Sequence, residues 1–160
     1  MANLKREVAR LEITPEMIEG KYQRHPFLPL MFVVFRHRRA ADWFTGTVLS
    51  ATNVGPDHQL ELHHIFPRAV LKEADNFEAY EIDDLANIAF LSQKANRSIL
   101  KSPPNEYLPS IEKERLEAQL VPLDKGMWRI EKYREFIARR RSSLTDAINE
   151  YLGNLGQVWF

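Results

Sequence analysis

The fold of this chain is most constrained by a short alternating run that ends in two adjacent histidines and a proline, Leu60-Glu61-Leu62-His63-His64-Ile65-Phe66-Pro67. Apolar and polar residues alternate from Gln59 to His63, as they do in a half-buried β-strand. Pro67 ends this strand, because proline cannot donate to a sheet ladder. A second strand is predicted at Asn87–Leu91 and a short helix at Gln93–Leu100, with Ser92 as its N-cap. The sequence therefore predicts a strand–strand–helix unit near its centre.

Helical patterns flank this central unit on both sides. Apolar residues recur at helical spacing between Pro26 and Arg39, and further helices are predicted at Pro109–Leu120 and Trp128–Leu152. A small two-stranded element inside a helical frame is typical of the α+β class. We expect a single domain, 1–160, with an N-terminal helical part at 1–58, a central core at 59–101 and a C-terminal helical part at 102–160.

Composition excludes several kinds of site. The chain has no cysteine, which rules out disulfides, thiol nucleophiles and zinc held by cysteine. No apolar run approaches the roughly 18–20 residues of a membrane span, so we expect a cytoplasmic protein. The 22 basic residues balance 22 acidic ones, and this does not by itself favour a nucleic-acid ligand. Basic residues are nevertheless clustered, since 129–141 holds six Lys or Arg against two Glu.

The polar residues of the central unit could build a site. A neutral imidazole binds a divalent metal or takes a proton from water near neutral pH, so His63 and His64 are candidates for both tasks. Asn96, on the predicted helix, can supply an oxygen ligand, and Asn87 can hold the preceding loop by hydrogen bonds. Neighbouring residues of a strand point to opposite faces. We therefore expect the strand to end at the histidines, so that loop geometry turns both imidazoles towards the helix.

The same residues have simpler interpretations. A His-His pair taken alone is more often structural or exposed than catalytic, Asn96 could be an ordinary exposed helix residue, and Asn87 could form a turn. The run Arg139-Arg140-Arg141 is usually a solvated face. Trp128, Tyr133 and Phe136 are expected in the core.

The run His63-His64-Ile65-Phe66-Pro67, followed by Asn87 and then by Asn96-Arg97, resembles the HNH endonucleases, which are also called ββα-metal or His-Me finger nucleases. Within this family, the chain resembles one subgroup most, the C-terminal nuclease domain of GmrSD-type modification-dependent restriction enzymes. This resemblance covers roughly residues 40–152. The further motifs that carry it are Asn96-Arg97-Ser98-Ile99, Pro104-Asn105-Glu106-Tyr107-Leu108 and Trp128…Tyr133-Arg134-Glu135-Phe136…Arg140.

This resemblance implies a metal-dependent DNA endonuclease or nickase that serves a phage-defence restriction system. His64 would be the general base, and Asn87 would fix the loop that carries it. His63 and Asn96 would hold one divalent metal. The residues implied to contact DNA phosphates are Lys94, Arg97 and Lys101.

The resemblance also bears on the cofactor. Many HNH enzymes have Asp at the position of His63, and imidazole is a softer ligand than carboxylate. Mg²⁺ or Mn²⁺ is expected first, and Ni²⁺, Co²⁺ or Zn²⁺ should also be accepted. The implied metal ligands, His63 and Asn96, include no carboxylate. Asp83 or Asp84 could supply one.

The enzymes of this subgroup pair the nuclease domain with an NTPase-like half, and the chain has no Gly-rich phosphate loop. A regulatory NTPase-like domain or subunit outside this chain is therefore an expected partner, besides DNA. Two other hypotheses remain: a non-catalytic ββα module that binds DNA or a partner protein, and a purely structural metal site.

Overall fold

The computed structural model describes residues 12–53, 59–74 and 76–158, with side chains described as far as 155. The helices and strands, in chain order, are α1 (Phe27–His37), β1 (Leu60–His64), α2 (Arg68–Glu73), α3 (Ala79–Ile82), β2 (Ile88–Ser92), α4 (Gln93–Ile99), α5 (Pro104–Tyr107), α6 (Lys113–Ala118) and α7 (Tyr133–Val158). Five short 3₁₀ helices lie at Pro15–Ile18, Leu85–Asn87, Leu108–Ser110, Lys125–Trp128 and Ile130–Lys132. Within these ranges no helix has the length and hydropathy that a bilayer crossing demands.

The sheet consists of β1 and β2, which pair antiparallel with His63 opposite Ala89 and His64 opposite Ile88. Every residue of β2 is buried. The chain passes directly from β2 into α4, where the Ser92 hydroxyl accepts a hydrogen bond from the Ala95 backbone at 3.2 Å. Helix α4 packs against both strands. The prediction of a mixed helical and β architecture with a small two-stranded sheet is therefore confirmed.

Helix α7 packs against α1 and against the 3₁₀ helix Leu85–Asn87 that leads into β2. Its buried residues Tyr133 and Phe136 join one hydrophobic cluster with residues of α1 and β2. Phe66, which follows β1, lies against both rings, with centroids 5.0 and 4.9 Å away. This cluster includes buried residues from each of the three predicted parts of the chain, from Ile13 to Ile148.

Arg140 of α7 fixes the entry to β2. Its guanidinium is fully buried and donates to the carbonyls of Ala86 (2.6 Å), Ile88 (2.7 Å) and Gln119 (2.9 Å). The interpretation of Arg139-Arg140-Arg141 as a solvated face is therefore wrong for Arg140. The physical reason is that three buried carbonyls need donors, and the guanidinium fork supplies several at once. Arg141 is mostly buried as well and pairs with Asp84.

Two predicted helices have different bounds in the structure. The helix predicted at Pro109–Leu120 is only α6, after a separate 3₁₀ turn. The helix predicted at Trp128–Leu152 begins at Tyr133, because two 3₁₀ helices precede it, the first of them capped by Asp124, which accepts from the Gly126 backbone at 2.8 Å. Trp128 donates its indole hydrogen to the Pro122 carbonyl.

Residues 1–11 and 54–58 of the predicted N-terminal part lie outside the described residues.

Candidate functional site

One face of β1 presents Glu61 and His63 towards α4. These two residues are two positions apart, so their side chains lie on the same face of the strand. His63 Nδ1 lies 2.8 Å from the side-chain oxygen of Asn96, and the Asn96 amide nitrogen donates to Glu61 Oε2 at 2.7 Å. The structure thus brings together His63 and Asn96, and it adds Glu61.

The surroundings of His63 determine its charge. Its side chain is only 3% exposed, and burial lowers its pKa to about 4, so the ring is neutral near pH 7. Tyr107 donates its single hydroxyl hydrogen to the Ile65 carbonyl at 2.8 Å. The Tyr107 oxygen also lies 3.2 Å from His63 Nε2. The direction of the two ring contacts depends on the tautomer: a hydrogen on Nδ1 is donated to Asn96, and a hydrogen on Nε2 is donated to Tyr107.

The two tautomers of the ring have different consequences for the cluster of Glu61, His63 and Asn96, called the trio below. With the hydrogen on Nδ1, His63 donates to the Asn96 oxygen at 2.8 Å, and a chain of hydrogen bonds runs from His63 through Asn96 to Glu61. With the hydrogen on Nε2, the Nδ1 lone pair faces the Asn96 oxygen, and a cation bound between the two atoms would satisfy both.

The trio fits a divalent cation by its chemistry. It offers one carboxylate, one imidazole and one amide oxygen, a mixed oxygen and nitrogen set that suits Mn²⁺ and other first-row metals and gives Mg²⁺ a carboxylate. Among the described residues no three His, Cys, Asp or Glu side chains are grouped to hold a metal. The trio contains only two residues of those types, and Asn96 is its third donor.

The expectation that Asp83 or Asp84 supplies the missing carboxylate is wrong. Asp83 is bonded to His64 and Arg68. Asp84 is fully buried, where it accepts from the Gly20 and Ala86 backbones and pairs with Arg141. Both carboxylates are used by other partners, so the carboxylate beside His63 is that of Glu61.

His64 faces away from the trio, so the expectation that both imidazoles turn towards the helix is wrong. The neighbours of His63 are Asn96, Tyr107 and Trp43, whereas those of His64 are Asp83 and Tyr22. Strand pairing does not stop before the histidines: β1 includes His64, and the Ile65 backbone still donates to the Asn87 carbonyl at 2.8 Å. The alternation of side chains therefore continues through both residues.

His64 nevertheless has the geometry of a base. Its Nε2 donates to Asp83 Oδ1 at 3.1 Å, and Asp83 is itself held by Arg68 at 3.0 Å. Burial lowers the pKa of His64, and the hydrogen bond with Asp83 opposes that effect. The ring is then neutral near pH 7 and its Nδ1 is free of a hydrogen. With Nε2 anchored, Nδ1 is the atom that can accept a proton.

Asn87 is completely buried. Its side-chain oxygen accepts from the Phe66 backbone at 2.9 Å, and its amide donates to the carbonyls of Phe66 and Ile82 at 3.1 Å each. These contacts join the segment after β1 to the end of α3. Asn87 thereby fixes the two segments that carry His64 and Asp83.

The three residues expected to contact DNA lie on the surface. Lys94 and Arg97 are one turn apart on α4, and Lys101 follows the end of the helix. All three are exposed, and in the part of the chain that the structure describes none of them forms an ion pair. Their charges are available to an external anion, and contact with DNA stays a prediction.

Sequence reasoning missed Glu61 and Tyr107 as residues of the site and gave Asp83 another task. Glu61 had a signal, since it lies two positions before His63 in an alternating run. Asp83 was considered as a metal ligand, whereas its carboxylate holds the His64 ring. Tyr107 lies 44 residues from His63 in the sequence. No local pattern indicates its hydroxyl contact.

Comparison of this chain with protein-family models, with curated proteins and with solved structures gives no match.

Proposed function

We propose that this protein is a metal-dependent DNA endonuclease or nickase with a ββα-metal core formed by β1, β2 and α4. The observation that carries the proposal is the trio: the His63 imidazole lies 2.8 Å from the Asn96 amide oxygen, and the Asn96 amide nitrogen lies 2.7 Å from the Glu61 carboxylate. The HNH-like order of His63-His64, Asn87 and Asn96 supports it. Service in a restriction system and control by an NTPase-like partner belong to the same proposal.

Each residue has a separate task in this proposal. Glu61, His63 and Asn96 would hold one divalent cation, which when bound neutralises charge on the phosphate and on the leaving oxygen. Tyr107 would accept the hydrogen of His63 Nε2 and so leave the Nδ1 lone pair for the cation. Lys94, Arg97 and Lys101 bind neighbouring phosphates and orient the strand.

His64 would take the proton from the attacking water at Nδ1, while Asp83 holds the ring. His64 and the trio lie on opposite faces of β1. Among the described residues β1 pairs with β2 along one edge only. The substrate phosphate is therefore proposed to lie along the other edge of β1, where His64 approaches from one face and the trio from the other.

The proposal is tested by nicking of supercoiled plasmid with Mg²⁺, Mn²⁺, Ni²⁺ or Zn²⁺, on modified and unmodified DNA side by side. We expect conversion to open circles or linear DNA with at least one of these ions, and complete loss of conversion with EDTA. Cleavage that persists undiminished in EDTA would contradict a metal-dependent mechanism. Intact plasmid with every ion and both kinds of DNA would contradict the nuclease itself.

A second candidate, a non-catalytic ββα module for DNA or a partner protein, is favoured by the burial of His63 and by the opposed directions of the two imidazoles. This module would bind DNA equally well with His64 replaced by alanine, and it would cut DNA with none of the four ions. The same plasmid assay, accompanied by a binding assay, separates the two candidates.

A further inference from the structure

Leu100, immediately after α4, is the most exposed large apolar side chain among the described residues. It is 76% exposed and takes no part in the hydrophobic core cluster. It lies one turn beyond Asn96 of the trio, about 6 Å along the helix axis. Water surrounds this leucine, so packing gives no reason for a large apolar residue here.

The backbone of Leu100 makes its identity still less expected. Its φ is 53° and its ψ is −119°, and the Ser102 backbone donates to the Ile99 carbonyl at 3.1 Å. These features describe a β-turn whose first central residue adopts the type II′ conformation, a position that glycine strongly favours. A residue with a β-carbon is strained in this conformation. A glycine or polar residue would satisfy the turn better, so the leucine points to a function outside the fold.

The charges around Leu100 indicate the ligand. Arg97 precedes it on α4, and Lys101 follows it directly, both exposed and without an ion-pair partner among the described residues. An exposed leucine between two such cations matches a polyanion with an apolar interior. Duplex DNA has this character, since phosphates lie outside its stacked bases, and proteins insert leucine between base steps from the minor groove.

We infer that Leu100 is a wedge that enters the minor groove of duplex DNA and partly unstacks one base step beside the cleavage site. Arg97 and Lys101 bind the phosphates on either side of the step. This inference rests on the proposed nuclease function, because it assigns the DNA contact of the same site. Unstacking at Leu100 brings the bent strand close to Asn96, one turn away.

The experiment uses duplexes with 2-aminopurine at TA steps, which unstack easily, and protein in a His64→Ala background that does not cut. The fluorescence of 2-aminopurine rises when its stacking is lost. We expect a rise on binding, and loss of this rise with Leu100→Ala or Leu100→Gly added, together with a dissociation constant about tenfold higher. The control is Leu155→Ala, which removes another exposed leucine, in α7.

Leu100→Gly gives a second, independent readout. Because glycine relieves the positive φ, this variant is expected to melt about 3 °C higher than the wild type while it binds DNA less well. A structural leucine would behave differently, since its loss would lower the melting temperature. A rise of fluorescence that survives in both Leu100 variants, or no rise when the His64→Ala protein is bound, would overturn the wedge.

The outcome for the wedge is distinguishable from the outcome for the nuclease. If wild-type protein nicks plasmid and the Leu100 variants neither unstack less nor bind less than the control, the wedge fails and the nuclease stands. If no ion supports nicking but unstacking depends on Leu100, the nuclease fails and the DNA wedge stands. Protein that does not bind duplex DNA contradicts the wedge directly.

Discussion

Replacing His64 by alanine is expected to lower the rate of plasmid nicking by about 10³-fold. The variant loses the only proton acceptor that the proposal places beside the attacking water, whereas the three residues of the proposed metal site remain. The side chain is largely buried but forms one hydrogen bond and one edge contact with Tyr22, so the fold should tolerate its loss. The measurement is the initial nicking rate at saturating metal, with the melting temperature recorded for each protein.

The matched control is His37→Ala, which removes an exposed histidine from the end of α1. This control should nick at the wild-type rate. Asp83→Asn should fall between the two, about tenfold below the wild type, because the ring loses its charged hydrogen-bond partner but keeps its position. A His64→Ala protein that is folded and nicks like the His37→Ala protein would show that the base is another residue.

The second large effect concerns the trio. Asn96→Ala and Glu61→Gln are each expected to raise the Mn²⁺ concentration for half-maximal nicking by about 100-fold. Asn96→Ala removes one of the three proposed metal ligands and also breaks the hydrogen bond between Asn96 and Glu61. Glu61→Gln keeps the size of the side chain and removes its negative charge. Glu61 is the only carboxylate of the trio. The measurement is a Mn²⁺ titration of the nicking rate.

Asn154→Ala serves as the control for these variants, since Asn154 is an exposed amide on α7. Its Mn²⁺ dependence should equal that of the wild type. If Glu61→Gln also leaves the Mn²⁺ dependence unchanged, Glu61 is only a hydrogen-bond partner of Asn96, and the metal assignment reduces to His63 and Asn96.

Local patterns predicted the central unit well. The alternation that ends at His63, the cap at Ser92 and the spacing to Asn96 are all properties of neighbouring residues, and they predicted two strands and a helix close to their observed bounds. The approach of Asn96 to His63 follows from this unit, because a helix that directly follows β2 returns across the sheet. The strand–strand–helix unit and the contact between His63 and Asn96 could thus be predicted together.

The direction of His64 could not be predicted in the same way. It depends on how far strand pairing continues, and the Ile65–Asn87 hydrogen bond that extends the pairing joins residues 22 positions apart. Pro67 indicated an earlier end of the strand. Arg140 illustrates the same limitation, since its three carbonyl partners are supplied by the segment before β2 and by Gln119. Such partners become known only when distant segments are packed together.

The central claim is that Glu61, His63 and Asn96 hold one divalent metal. Its most direct test is a titration of ¹⁵N-labelled wild-type protein with substoichiometric Mn²⁺, whose paramagnetism broadens the signals of nearby nuclei. The account predicts selective broadening at Glu61, His63, Asn96 and Tyr107, and loss of this effect in Asn96→Ala. Broadening confined to His25, His37 or the acidic stretch before Asp83, with the signals of the trio unchanged, would contradict it.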